Sequence, residues 1–280
     1  MLRLAIRVRR EHAELVLAEL LELAPSGVEE IAQGDLIEYA VYGTPGELPS
    51  LPDLRAAAGG ALVEVSTEEI ADDWSERWKQ FHQPLVLAGA LTVRPPWAPP
   101  ADTPIDLVID PGQAFGTGSH PTTRLCLELM LTLDAAHGFL DLGSGSGVLA
   151  IAAAALGWNP VAAVDYDPAS VEATRVNAAR NGVIVDVQRL DLRRDRLPAF
   201  PTVAANLLAP LLIAWLARLG DGELPARVIA GGVLASEVDG VAAAFAARGF
   251  SESARRVGGE WAALLMDWPA DQIHTEFQPS

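Results

Sequence analysis

The stretch that decides the fold is FLDLGSGSGVLAIAAAALGWNPVAAVD, residues 139–165. It predicts a strand, a glycine-rich turn, an alanine-rich helix and a second strand that ends at Asp165. Glycines at 143, 145 and 147 let the backbone turn sharply and approach a ligand without Cβ atoms in the way, and the helix that follows presents unpaired N–H groups. Asp165, which lies 22 positions after Gly143, is placed to bind ribose hydroxyls. The pattern predicts an enzyme with a nucleoside cofactor.

The spacing of the glycines separates two classes of cofactor. NAD-binding turns carry G-x-G-x-x-G, whereas this chain has D-x-G-x-G-x-G from Asp141, with Val148 after the last glycine. S-adenosylmethionine has no phosphate and carries a cationic amino group and a sulfonium, so a leading carboxylate suits it better than a pyrophosphate. We therefore expect S-adenosylmethionine, bound by Asp141, Gly143, Gly145 and Asp165, and an NAD oxidoreductase is the alternative.

Two more polar residues end predicted strands of the same region. Asp191 follows the third strand, where an acid can bond the exocyclic amine of an adenine, although it could equally be a solvated strand end. Asn206 ends the fourth strand, at the carboxyl edge where open α/β sheets bind ligands, although it could instead cap the next helix. Both are candidate site residues.

The pattern of elements predicts an α/β protein with a second, smaller domain. Residues 105–268 alternate strands and helices, beginning with a strand at Asp106–Ile109, which predicts a parallel sheet covered on both faces. Residues 1–67 read as β-α-β-β-α-β, the order of a ferredoxin-like domain. Between them, 68–104 predict a linker helix and a proline-rich connection, and 269–280 have no pattern. The linker helix carries Trp74, Trp78 and Phe81 on one face, either for packing or as a wall of the substrate entrance.

Composition limits the partners and the compartment. The net charge of −17 over 280 residues repels bare nucleic acid, whose binding rests on Lys and Arg, and attracts a basic protein, although it could serve solubility alone. The single cysteine, Cys126, excludes an internal disulfide and a multi-cysteine metal site. No apolar run reaches the length needed to cross a bilayer, and residues 1–7 lack the features of a signal peptide. We expect a cytoplasmic protein without metal, membrane or direct nucleic-acid binding.

A family resemblance rests on DPGQAFGTGSHPTT, residues 110–123. This string resembles the signature loop of the bacterial methyltransferases that modify large-subunit ribosomal protein eleven, the stalk-base protein. The glycine turn, Asp165–Pro168, Asn177–Gly182 and Glu260-Trp261 are also similar to that family. The resemblance covers residues 70–268 in letters and 1–67 in architecture.

The resemblance implies a Rossmann-like class I methyltransferase with a seven-stranded sheet. It implies methyl transfer to lysine ε-amino or N-terminal α-amino groups of the ribosomal protein, which the N-terminal domain would hold. His120 could relay a proton or order the loop. The residues implied to hold S-adenosylmethionine are Thr123, Gly143, Asp165 and Asn206, with Phe115, Thr117 and Gly118 covering its methionine end. The alternatives are the same reaction on another protein and a cofactor-binding scaffold without activity.

Overall fold

The computed structural model describes residues 2–13, 16–17, 20, 29–43, 48–49, 52, 54, 61–69, 83–110 and 120–269. The chain divides into two compact units, Met1–Phe81 and His82–Ser280. The predicted aromatic face of the linker and the tail beyond residue 269 lie outside the described residues. No helix in the described ranges is both long enough and apolar enough to span a membrane.

The first unit contains a four-stranded antiparallel sheet in the order β2-β3-β1-β4. Its strands are β1 (Leu2–Arg9), β2 (Glu29–Gln33), β3 (Leu36–Gly43) and β4 (Leu62–Glu69). Residues 13, 16, 17 and 20 are helical, as are 52 and 54. Ala13, Val16 and Leu20 recur at helical spacing and pack against Ile6 and Tyr39 of the sheet. This is the predicted ferredoxin-like arrangement.

The second unit begins with a small sheet that the sequence did not predict as such. Its strands are β5 (Leu85–Leu87), β6 (Leu91–Arg94) and β7 (Ile105–Val108), and β6 pairs antiparallel with β5 and parallel with β7. Arg94 Nε donates to Asp106 Oδ1 over 2.8 Å, and this hydrogen bond lowers the pKa of Asp106. The strand predicted at Asp106–Ile109 was expected in the large sheet, and this prediction was wrong, because β7 pairs with β6 in the small sheet. The residue pattern of a strand does not determine which other strand it pairs with.

The large sheet has seven strands in the order β10-β9-β8-β11-β12-β14-β13, parallel from β10 to β12 with β14 antiparallel. The strands are β8 (Phe139–Leu142), β9 (Val161–Asp165), β10 (Asp186–Arg189), β11 (Thr202–Asn206), β12 (Arg227–Leu234), β13 (Ser251–Gly258) and β14 (Trp261–Asp267). The helices are α1 (Pro121–Met130), α2 (Val148–Leu156), α3 (Pro168–Arg180), α4 (Ala209–Arg218) and α5 (Val238–Ala247). The predicted α/β class with a seven-stranded sheet is confirmed.

Side chains of successive strand residues enter two separate cores, one on each face of this sheet. Phe139 and Ala163 pack on the face that α1 and α2 cover, whereas Leu140 and Val164 pack on the face of α4 and α5. The chain order of the strands reverses between β8 and β11. The carboxyl ends of these two strands therefore border the crevice in which open α/β sheets bind ligands.

Candidate functional site at the carboxyl edge of the large sheet

The loop between β8 and α2 has a backbone that requires glycine. Gly143, Gly145 and Gly147 have φ values of +73°, +53° and +82°, which other residues adopt only with strain. A Cβ on Gly147 would lie 2.7 Å from Thr174 Cγ2, and a Cβ on Gly143 would lie 2.6 Å from Leu207 Cδ2. The loop is thus packed tightly between α3 and the segment that follows β11.

Asp165 ends β9, directly beside this loop. Its side chain is nearly buried, Oδ2 accepts the Gly145 N–H over 3.0 Å, and Oδ1 accepts the Asp167 N–H over 3.0 Å. An ionised carboxylate has about four acceptor sites, so these two bonds fix its orientation and leave capacity for a ligand's hydroxyl groups. Asp167 itself caps α3, because its side chain accepts the N–H groups of Ala169 and Ser170.

Asp141 is bound to the start of α2. Its side chain is 1% exposed, and Oδ2 accepts the N–H of Ala150, in the first turn of α2, over 3.0 Å. Burial, together with the negative charge of Asp165, raises the pKa of Asp141 to about 7. The sequence predicted this carboxylate beside the cofactor's cation, and that role stays a prediction, since the hydrogen bond to Ala150 lies within the protein.

Asn206 ends β11 across the crevice from Gly143. Its Nδ2 donates to Thr123 Oγ1 of α1 over 3.4 Å. Its Oδ1 is buried and has no hydrogen-bond partner among the described residues. An unpaired buried acceptor costs about 1–3 kcal/mol, so this atom is a candidate acceptor for a ligand's hydrogen-bond donor.

The backbone that follows Asn206 packs against two adjacent glycines of β12, Gly231 and Gly232, which were not predicted from the sequence. The register of β12 with β14 shifts between Ala230 and Val233, and the Leu207 N–H donates to the Gly231 oxygen over 3.1 Å. Gly232 has φ +74°, and a Cβ there would lie 2.6 Å from the Leu207 oxygen. A pair of glycines inside an apolar strand is the signal that could have found this bulge.

His120 lies at the N-terminus of α1, where its Nδ1 accepts the Thr122 N–H over 3.4 Å. Its ring packs edge-to-face on Trp261, with 5.2 Å between ring centroids. Burial lowers the pKa of His120, which favours the neutral ring at neutral pH. The described contacts of His120 thus cap the start of α1, and its roles in proton relay or loop ordering stay predictions.

Of the remaining predicted residues, one lies in a cluster of ion pairs and three lie outside the described residues. Asp191 follows β10, and its carboxylate pairs with Arg193 at 2.9 Å and Arg194 at 3.3 Å. The hydrogen bond from Arg193 lowers the pKa of Asp191 to about 2. Its predicted contact with adenine stays a prediction. Phe115, Thr117 and Gly118 lie in the range 111–119, outside the described residues.

Side chains of α3 hold two carbonyl groups of the glycine loop. Thr174 Oγ1 donates to the Gly145 oxygen over 3.0 Å, and Asn177 Nδ2 donates to the Ser146 oxygen over 3.0 Å. Neither residue was predicted to have a role, and their spacing of three along a helix was the available signal.

Comparisons with known proteins identify the family of the chain. The family model for ribosomal protein L11 methyltransferase (PrmA) matches residues 52–268. A ribosomal protein L11 methyltransferase from Geobacter sulfurreducens is 41% identical over 226 residues, which are 77% of this chain and 73% of that protein. One from Heliobacterium modesticaldum is 39% identical over 217 residues, 75% of this chain and 69% of that protein.

A solved structure extends the likeness to three dimensions. The crystal structure of ribosomal protein L11 methylase from Lactobacillus delbrueckii subsp. bulgaricus matches with a TM-score of 0.60 and 29% identity, over 67% of this chain and 99% of that one. The resemblance carried by residues 110–123 and by the glycine loop is confirmed. Since the family model spans more than half of the sequence, this chain belongs to the ribosomal protein L11 methyltransferase family.

Proposed function

We propose that the chain transfers methyl groups from S-adenosylmethionine to lysine ε-amino groups, the N-terminal α-amino group, or both, of ribosomal protein L11. Membership of the family supports the reaction and the substrate. The observation that carries the proposal is the unpartnered Asn206 Oδ1, at the carboxyl end of β11, the strand that borders the crevice with β8. It is suited to accept a hydrogen bond from an amino group.

The residues of the crevice fit the cofactor. Thr123, Gly143, Asp165 and Asn206 would hold it, with the carboxylate on the ribose hydroxyls. The Ala150 N–H in the first turn of α2 already donates to Asp141, so this donor is not free for a pyrophosphate, which would need such N–H groups. When bound, S-adenosylmethionine supplies an electrophilic methyl group on a sulfonium.

The protein's task is to present a neutral amine. Lysine has a pKa of about 10.4, so holding it neutral at pH 7 costs roughly 4–5 kcal/mol. Asn206 Oδ1 would accept one amine N–H and so orient the nitrogen lone pair. Leu207 and Leu208 follow it, and Leu208 is 65% exposed, so apolar surface is available beside the amine, where removing water lowers its pKa.

Positioning then accounts for most of the rate, since holding two reactants in a reactive geometry is worth about 7–11 kcal/mol. His120 keeps its Nδ1 in the cap of α1, where it would order this helix start beside Thr123. The proton leaves the amine to solvent, and the proposal needs no dedicated base.

The charge of the chain fits a basic substrate. The net charge is −17, and the edge strand β4 of the first unit exposes Glu64 and Glu68. We assign substrate recognition to this unit and catalysis to the second. Since L11 is a ribosomal protein, the proposed activity is cytoplasmic.

The test is incubation of the purified protein with S-adenosylmethionine and purified L11, followed by intact-mass and peptide mass spectrometry. We expect L11 to gain mass in steps of one methyl group, on lysine or on the N-terminus. Methylation of a different protein with none on L11 would keep the reaction and refute the substrate. No methylation of any protein, with cofactor bound, would leave the scaffold alternative.

A further inference from the structure

One face of α3 binds main-chain atoms of two separate segments, the glycine loop and the end of β7 with the residues that follow it. Asn177 is 1% exposed. Its Nδ2 donates to the Asp110 oxygen over 3.2 Å and to the Ser146 oxygen over 3.0 Å, and its Oδ1 accepts the Asp110 N–H over 3.0 Å. Arg180 adds a donor to Oδ1 at 3.3 Å. All the bonds that a carboxamide can make are thus used within the protein.

Asn181 repeats this arrangement one turn later, against β7. Its Oδ1 accepts the Val108 N–H and its Nδ2 donates to the Val108 oxygen, each over 2.8 Å. The spacing explains the pair, because four residues of a helix rise about 6.0 Å and two residues of a strand about 6.6 Å. Two asparagines at i and i+4 can therefore pair with residues 108 and 110 as a neighbouring strand would.

The other edge of β7 is already occupied. Ile109 donates its N–H to the Arg94 oxygen over 2.9 Å, and β7 pairs with β6 in parallel. The two asparagines therefore complete the hydrogen bonding of this short strand from the side of α3.

Of the two asparagines, only Asn177 also bonds the glycine loop. The third hydrogen bond of the Asn181 side chain goes to the main-chain oxygen of Asn177 over 2.8 Å, and among the described residues none goes to 143–147. Both side chains are carboxamides of α3 that bond main-chain atoms at or just after the end of β7, and they differ in the bond to Ser146.

We propose that Asn177 is a positioning residue for the cofactor, which fixes the glycine loop by holding the Ser146 carbonyl and ties that loop to the end of β7. The inference rests on the proposed function, since it assigns the loop to S-adenosylmethionine. Loss of this carboxamide removes one bond to a loop carbonyl and two bonds to the main chain of Asp110, so the loop samples conformations that do not bind. The cost falls on binding rather than on the methyl transfer itself.

The experiment compares Asn177→Ala with Asn181→Ala by calorimetric titration with S-adenosylhomocysteine and by kinetics. For Asn177→Ala we expect the Kd, and the KM for S-adenosylmethionine, to rise at least tenfold, with kcat changed less than threefold. For Asn181→Ala we expect a lower melting temperature but a Kd within twofold of wild type. Asn177→Asp, of nearly the same shape, keeps the acceptor and loses the donor, and it should also weaken binding if the alanine variant does not fold.

Three outcomes separate the possibilities. An unchanged Kd in Asn177→Ala, or equal losses in Asn177→Ala and Asn181→Ala, would overturn the inference and leave both residues with a general structural role. A normal Kd in Asn177→Asp would overturn it as well, because the donor to Ser146 is then unnecessary. A wild-type protein that binds no cofactor would refute the proposed function, and this inference with it.

Discussion

Asn206 illustrates how a single side chain can favour function at the expense of stability. Its Oδ1 is buried without a partner among the described residues, while its Nδ2 donates to Thr123. Stability alone gives no reason to keep such an acceptor, since unpaired buried polar groups destabilise the folded state. Local violations of this kind are expected at functional sites.

Asn206→Ala should therefore separate the two properties. We expect the free energy of unfolding in urea to stay within about 1 kcal/mol of wild type or to rise, because the alanine removes an unsatisfied buried acceptor. Methyl transfer to L11 should fall by roughly a hundredfold, the order of loss that follows misplacement of a reacting group. A clear loss of stability with normal turnover would contradict the assigned role.

Asp165→Ala should weaken binding of S-adenosylhomocysteine by about 1–3 kcal/mol, the value of hydrogen bonds to a charged group. The reason is that its carboxylate would bind the ribose and also orients the Gly145 N–H. Asp167→Ala is the matched control, because Asp167 bonds Ala169 and Ser170 at the start of α3. The control should lose about 1 kcal/mol of stability and keep its Kd. Calorimetry and urea unfolding distinguish the two.

At the scale of the element, the first turn of α2 makes folding stability depend on pH. Asp141 has a folded-state pKa of about 7, against an ordinary value of 3.8. Below pH 4 it is protonated in both states, and from pH 4 to 7 only the unfolded state releases the proton. Stability from this group is therefore present at low pH and is lost as the pH rises through 7, by at most roughly 4 kcal/mol.

Asp141→Asn should abolish this dependence, because an amide keeps an acceptor for the Ala150 N–H and does not ionise. We expect the variant to gain stability relative to wild type from pH 4 to 7, with a constant difference above pH 7. Urea unfolding at pH 5, 6, 7 and 8 measures it. A difference that does not vary with pH would show that Asp141 titrates normally in the folded protein.

The bulge in β12 controls where the segment after Asn206 lies. Gly232→Ala should cost about 1–3 kcal/mol more than Gly182→Ala, the range for overpacked sites. Both glycines have left-handed φ, but only Gly232 meets a backbone, at 2.6 Å from the Leu207 oxygen, while nothing lies within 4 Å of the Cβ position of Gly182. Gly232→Ala should also slow methyl transfer, since it displaces Leu207. Equal losses of stability would refute the close approach.

At the scale of the whole molecule, the charge of −17 should govern the encounter with a basic ribosomal protein. We expect the KM for L11 to rise about threefold or more between 50 and 300 mM salt, because screening shortens the range of the attraction. The kcat should stay nearly constant. A short peptide with a single lysine serves as the control and should show a shallower dependence. A KM for L11 that is independent of salt would assign the charge to solubility.

Several features of the fold could be predicted because they follow from local pattern. The alternation of strands and helices after residue 138 predicted the large sheet, and the ends of α2 and α3 lie where glycine, proline and Asp167 place them. The separate small sheet could not be predicted, because the pairing of β7 with β6 depends on which strand lies nearby. The same limit applies to the contact between Asp141 and Ala150, since side-chain partners nine positions apart depend on the turn between them.

The amino-acid sequence alone indicated the family and the strand ends that carry Asp165 and Asn206, and it predicted the class of cofactor, because residue type and spacing along the chain express these directly. The tertiary structure alone decided that Asn206 Oδ1 is unpaired, that Gly232 supports Leu207 and that Asn177 joins Ser146 to Asp110. The physical reason is that hydrogen bonding and close packing act between atoms that are neighbours in space. Such neighbours are 25 to 67 positions apart in this chain.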